Sequence, residues 1–184
     1  MTMTDTLVTA GAGVRLSRFV NTLADHEIGG AEALIAIPGS IGGAIRMNAG
    51  AQNIETGDIV EEIHGVRLNG EKYVATRSEI DWWYRGSSIP IDLIITKAKF
   101  RLQKVDRNEA KEKIELTRSF RKTTQPGGKN PGCSFRNPGN DSAGRLIDKY
   151  GLKNLTIGSC SVSDIHANFM VNTGGASEED YARL

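Results

Sequence analysis

The chain is poor in the residues that fix most small-protein chemistries. Only two of its 184 residues are cysteines, Cys133 and Cys160, far apart and outside any CxxC spacing, which excludes a disulfide scaffold and a structural zinc site. Its three histidines, His26, His64 and His166, are scattered, so neither a metal cluster nor a Ser-His-Asp triad assembles from them. Charge of one sign is also lacking: 23 basic residues against 22 acidic give a net charge of +1, with the two kinds interleaved, and nothing points to nucleic acid or an anionic membrane. No apolar run reaches spanning length, and Met1-Thr2-Met3-Thr4-Asp5 lacks the basic and apolar regions of a leader, so a cytoplasmic protein with free thiols is expected. The oligomeric state is not legible.

Glycine is the one excess, with 21 residues clustered at turns. The densest cluster, Ile37-Pro38-Gly39-Ser40-Ile41-Gly42-Gly43-Ala44, follows a strand-like run, Leu34-Ile35-Ala36-Ile37. Glycines there allow a sharp turn or close approach to a planar or phosphorylated ligand, where a Cβ would collide. A tight turn inside an α/β core accounts for the cluster equally well. Gly11-Ala12-Gly13-Val14-Arg15-Leu16 starts like a dinucleotide fingerprint but has Leu16 in place of the third glycine, and no Gly-Lys-Ser/Thr follows any glycine run.

The patterning predicts a strand over Thr6–Gly13 and a helix capped by Ser17 with Phe19, Val20 and Leu23 on one face. A hairpin is expected around Asn69-Gly70 and an alternating strand over Lys97–Gln103 with Ala98, Phe100 and Leu102 inward. Asp106 and Glu109 open a helix running to about Lys122, and a Pro/Gly-rich loop follows. Ser142–Tyr150 reads as a short helix burying Leu146, Ile147 and Tyr150; strands around Ile157, Val162 and Phe169–Val171 come next. Ser177 starts a helix that ends after barely two turns, so the chain is expected to be cut at its C-terminus, and its unpartnered first strand suggests the same at the N-terminus.

Three further segments carry possible chemistry. In Trp82-Trp83-Tyr84-Arg85-Gly86-Ser87, a guanidinium beside aromatic bulk suits bidentate binding of a carboxylate; an exposed arginine stacked on an aromatic explains it as well. Gly132-Cys133-Ser134-Phe135 offers a hydroxyl that can donate a proton, or simply a turn-capping serine. His166-Ala167-Asn168-Phe169 alone reads as a strand with ordinary polar neighbours.

Taken in order, Gly-Ala-Gly-Val, Ile-Pro-Gly-Ser-Ile-Gly-Gly-Ala, Met-Asn-Ala-Gly, Tyr-Arg-Gly-Ser, Arg-Lys-Thr-Thr-Gln-Pro, Gly-Cys-Ser-Phe-Arg-Asn-Pro, Asp-Ser-Ala-Gly-Arg-Leu-Ile and His-Ala-Asn-Phe-Met-Val-Asn resemble the flavin-dependent UDP-N-acetylenolpyruvoylglucosamine reductases from about Val8 to Leu184. The resemblance implies an α+β chain: a partial FAD-binding domain of the PCMH type over residues 1–105, then an α/β substrate-binding domain over 106–184. It implies FAD as cofactor, NADPH as hydride donor and UDP-N-acetylglucosamine enolpyruvate as substrate, with no metal. Flavin contacts would come from Pro38, Gly39, Ser40, Ile41, Gly42 and Gly43, with Asn48, Ala49 and Gly50. Arg85 and Ser134 match the family's catalytic arginine and proton donor, and Tyr84, Arg85, Gln125, Ser134 and Asn137 fall in substrate-contacting segments. Two family features have no counterpart here, the pyrophosphate-binding N-terminal flavin subdomain and the catalytic glutamate beyond the helix at Ser177. Glu178 and Glu179 fall too early to match that glutamate, which leaves open an inactive piece or a binding module with UDP-sugar affinity.

Overall fold

The computed structural model describes Met1–Leu184, and the chain divides into two compact units, Met1–Arg118 and Ser119–Leu184. No helix is long and apolar enough to cross a membrane.

The first unit is built on an antiparallel sheet of five strands in the order Thr2–Thr4, Leu7–Gly11, Leu93–Arg101, Val60–Arg67, Lys72–Thr76. Alternation along the central strand decides its inward face: Ala98 lies between Ala10 and Ile63, and Phe100 between Val8 and Val60, all of them buried. The hairpin between Val60–Arg67 and Lys72–Thr76 turns at Asn69-Gly70, with Gly70 at φ 90°, as that dipeptide requires.

Helix Leu16–Asp25 covers the inward face with Leu16, Phe19, Val20 and Leu23. Phe19 meets Phe100 with ring centroids 4.8 Å apart, a tilted pair that, with its burial, contributes about 2–3 kcal/mol per ring. Its N-cap is Arg15 with no side-chain hydrogen bond, so Ser17 lies inside the first turn instead of capping it. The expected strand at Leu34–Ile37 is a 3-10 helix over Glu32–Ala36: burial of Leu34 and Ile35 satisfies the apolar run without any sheet partner. The glycine cluster, read as a turn, contains a helix over Ile41–Arg46 that Ser40 caps.

The division between units falls within helix Arg107–Thr124, whose first turns bury Ala110, Ile114 and Thr117. Asp106 starts it by accepting hydrogen bonds from the N–H groups of Asn108 and Glu109.

The second unit holds a three-stranded antiparallel sheet, Thr156–Ile157, Cys160–Val162 and Met170–Asn172. The preceding loop runs along it through bridges Lys129↔Asn172 and Cys133↔Phe169. Helix Ala143–Lys149 is capped by Ser142, but its buried residue is Ala143; Leu146 and Ile147 are half-buried and Tyr150 is exposed. The strand begins only at Met170, so His166–Phe169 is a turn. A capping box formed by Ser177 and Asp180 starts helix Glu178–Arg183.

Candidate active site

In the first unit the glycine segment is zipped onto the end of strand Leu7–Gly11. Leu16 N–H donates to Gly39 O, Ile41 N–H to Val14 O and Gly42 N–H to Ala12 O, at 2.9–3.0 Å. A Cβ on Gly42 would come within 2.9 Å of Ala12 Cβ, so only glycine allows this approach. Gly39 adopts φ 131°, and a Cβ there would project into open space, as at Gly13. Both glycines line a cavity of about 660 Å³, together with Arg15, Ser17, Ile35–Pro38 and Ser40. Its lining has exposed backbone, one cation and no acid, a donor set that suits an anionic ligand with a flat apolar part.

Pro38, Gly39 and Ser40 line this cavity; Ile41, Gly42 and Gly43 continue into the helix, and Asn48, Ala49 and Gly50 belong to a neighbouring cluster. Asn48 is fully buried at φ 41° and its carboxamide is saturated: Nδ2 donates to Glu55 Oε2 (2.6 Å) and to Trp83 O (3.1 Å), while Oδ1 accepts from Gly57 N–H (2.9 Å). Ala49 O accepts from both the amide and the hydroxyl of Thr56. Asn48 thereby pins the small hairpin Trp82–Trp83/Gly86–Ser87, whose turn carries Tyr84 and Arg85.

Arg85 stands at φ 60°, a left-handed conformation that costs a non-glycine residue about 1 kcal/mol. Its guanidinium lies over the Tyr84 ring at 4.7 Å, 4.0 Å from Glu55 Oε1 and 3.4 Å from Gly50 O. One third of the side chain stays exposed, so it is oriented yet able to meet an incoming anion. On the same hairpin, Trp82 Nε1 and Ser87 Oγ are buried with no partner in the protein. Glu55 has no signal in the sequence, since an acid seven residues past a buried left-handed asparagine gives no periodic pattern.

In the second unit, Ser134 Oγ and Gln125 Oε1 are buried without a protein partner, and such groups are rare enough to need a reason. Ser134 borders an apolar pocket of about 190 Å³, with Phe135, Val162, Ala167, Met170 and Leu184. Asn137 is exposed and its Oδ1 accepts from Ala143 N–H. Arg145 holds the Asp141 carboxyl down at about 2, aided by the Ser142 N–H. Burial lowers the affinity of the Arg121 guanidinium for its proton. The structure thus groups Asn48, Gly50, Tyr84 and Arg85 in one unit, and places Gln125, Ser134 and Asn137 in the other.

Comparison with known proteins covers both units. Residues 2–72 match the family model of the FAD binding domain, and residues 123–184 that of the UDP-N-acetylenolpyruvoylglucosamine reductase C-terminal domain. The UDP-N-acetylenolpyruvoylglucosamine reductase of Myxococcus xanthus is 38% identical over 178 residues, and that of a Bradyrhizobium species 36% identical over 179. These alignments take in 96% and 97% of this chain but 57% and 58% of the relatives, so the chain spans less than two thirds of their length. The crystal structure of UDP-N-acetylenolpyruvylglucosamine reductase (MurB) from Thermus caldophilus superposes with a TM-score of 0.90 at 35% identity, covering 98% of this chain and 67% of that one. With an α+β fold that carries a flavin-type unit ahead of the reductase C-terminal domain, the chain belongs to the UDP-N-acetylenolpyruvoylglucosamine reductase family.

Proposed function

We propose that this chain serves the reduction of UDP-N-acetylglucosamine enolpyruvate to UDP-N-acetylmuramate in peptidoglycan precursor synthesis. The first unit would hold FAD and the second the nucleotide sugar. The cavity at Gly13, Arg15 and Pro38–Ser40 fits the flavin's phosphate-bearing part, since it offers backbone and a cation and no repelling carboxylate. FAD, when bound, supplies the hydride that NADPH has given it.

Arg85 binds the enolpyruvyl carboxylate. As hydride arrives at the vinyl carbon distal to the ether, negative charge builds on the adjacent carbon and the carboxylate, and the guanidinium stabilises it. Tyr84 stacks on that guanidinium and Glu55 restrains it, so little reorientation is needed at the moment of reaction. Ser134 gives its proton to the carbon next to the ether oxygen, completing the saturated lactyl ether. Gln125 and Asn137 contact the nucleotide sugar. Interleaved charge and thiols without a CxxC motif support a cytoplasmic place for this chemistry.

The observation that carries the reading is the buried Ser134 hydroxyl with no partner in the protein: a proton donor whose natural acceptor is the substrate. The test is the visible spectrum of the purified chain after FAD incubation and desalting, then after NADPH and substrate. A retained chromophore that bleaches with NADPH and recovers with substrate is expected. A colourless protein that still binds the UDP-sugar overturns the reductase reading for this chain in favour of a binding module.

A further inference from the structure

The turn at Ser163–Phe169, outside the roles assigned so far, converges on Ser134. Asn168 is buried to 2% exposure, and its carboxamide grips the backbone of Phe135 on both sides: Oδ1 accepts from Phe135 N–H at 2.9 Å and Nδ2 donates to Phe135 O at 2.8 Å. The backbone of the same residue takes the Ser134 N–H on its carbonyl at 2.8 Å. Beside it, the bridge Cys133↔Phe169 continues the pairing. Ser134 is therefore held from both neighbours while its own hydroxyl is left without a protein partner.

The clamp is itself braced. Ser163 Oγ accepts from the N–H groups of Ile165 and His166, Ser163 N–H donates to Phe169 O, and His166 Nδ1 accepts from Asn168 N–H at 3.2 Å. The His166 ring also packs against Phe169, centroids 4.9 Å apart. A single-residue amide that satisfies both polar groups of a facing backbone unit does what a strand would do, in a loop with no strand available. We infer that Asn168 is the positioning residue for Ser134, fixing the direction of its hydroxyl. The inference rests on Ser134 being the proton donor proposed above.

The test is solution NMR on the full chain and on Asn168→Asp and Asn168→Ala. The Asp variant keeps the acceptor for Phe135 N–H but sets an oxygen against Phe135 O; the Ala variant removes both bonds without adding charge. Expected are a single Ser134 rotamer from the Hα–Hβ couplings in the parent protein and averaged couplings in both variants. Amide exchange at Ser134 and Phe135 should speed up roughly tenfold, the worth of one net hydrogen bond. Exchange at Cys160 and Val171 in the sheet should stay unchanged. Averaged couplings in the parent, unaltered couplings or exchange in the variants, or protection lost across the whole second unit would each overturn the positioning role. Ser134→Ala separates the two ideas: normal product formation there removes Ser134 as proton donor and leaves the NMR result standing, while a stalled Ser134→Ala beside a fully active Asn168→Asp removes the positioning role alone.

Discussion

Asn48 is the place where a single substitution should tell most about the first unit. Its side chain makes three hydrogen bonds in a fully buried site, to Glu55, Trp83 and Gly57. Asn48→Ala orphans the Gly57 N–H, at about 1 kcal/mol or more, while the Trp83 carbonyl keeps its ladder partner Gly86 across the hairpin. It also strips a charge-assisted bond from Glu55, whose carboxylate is 35% exposed and can turn to water, so roughly 1 kcal/mol is a fair share for that loss. Alanine in the left-handed backbone at φ 41° adds about 1 kcal/mol more. The sum is about 3 kcal/mol, which lowers the melting temperature by roughly 10 °C for a unit of this size.

Asn48→Gly keeps the backbone and loses only the bonds, so it should fall about 1 kcal/mol short of the alanine loss. Asn48→Asp keeps an acceptor for Gly57 but sets a carboxylate where the amide donates to Glu55 at 2.6 Å. Like charges at that range disfavour ionisation in the folded state, so that variant should gain stability, relative to the parent, as pH falls and one carboxyl takes up a proton. Circular dichroism melts of the three variants between pH 4.5 and 8 read all of this. An alanine variant that melts within about 2 °C of the parent, or an aspartate variant whose deficit ignores pH, refutes the account of Asn48 as the post on which the Arg85 hairpin stands.

Arg85→Lys loses the fork and the stack on Tyr84 while sparing the core; turnover of the flavin-loaded protein should drop about 10²–10³-fold with an unshifted melt, and near-normal turnover would remove the role given to Arg85. Gly42→Ala pushes a methyl to 2.9 Å from Ala12 Cβ and should cost about 1–3 kcal/mol, whereas Gly43→Ala meets only Ser40 Oγ at 3.7 Å and should be neutral or stabilising; equal melts would deny the close approach at Gly42. Arg145→Ala should return the Asp141 carboxyl from about 2 toward the ordinary value near 4, read by carboxyl ¹³C titration. Because that folded-state value is depressed, its contribution to stability is present above the unfolded value and lost as pH falls through about 2, and the variant should show a shallower acid dependence; an unmoved midpoint would sink the attribution.

What was legible in the sequence is what local physics fixes alone. Asn69-Gly70 turns its hairpin whatever surrounds it, and the alternation at Ala98 and Phe100 marks a face that must be buried. Ser142 and Ser177 start helices through their own hydroxyls. The errors arose where tertiary context decides. Leu34-Ile35 is apolar enough for a strand, yet what it buries against is helix Leu16–Asp25 and the sheet's inward face, so a 3-10 turn suffices. Gly42 and Gly43 argue against a helix by propensity, but Ser40 caps one and the contact with Ala12 demands the glycine.

The same distinction runs through the candidate site. Arg85 and Ser134 are visible in sequence because their motifs place unusual residue types side by side, but the groups that aim them are not. Glu55 lies 30 positions from Arg85, and Asn168 lies 34 from Ser134; in neither case does spacing predict the meeting. Both supports use the same device, a buried asparagine with every polar atom engaged, one at φ 41° beneath the arginine hairpin and one in a turn beside the serine. An asparagine suits that work because it is the shortest side chain with a peptide-like amide, a separate N–H donor and C=O acceptor, so it can stand in for a strand's backbone where the chain has none to offer. A carboxylate in either place would add repulsion, and a glutamine would need room that close packing denies. The setting of Ser134 therefore rests on a neutral amide alone, while that of Arg85 rests on an amide-pinned hairpin together with the Glu55 carboxylate.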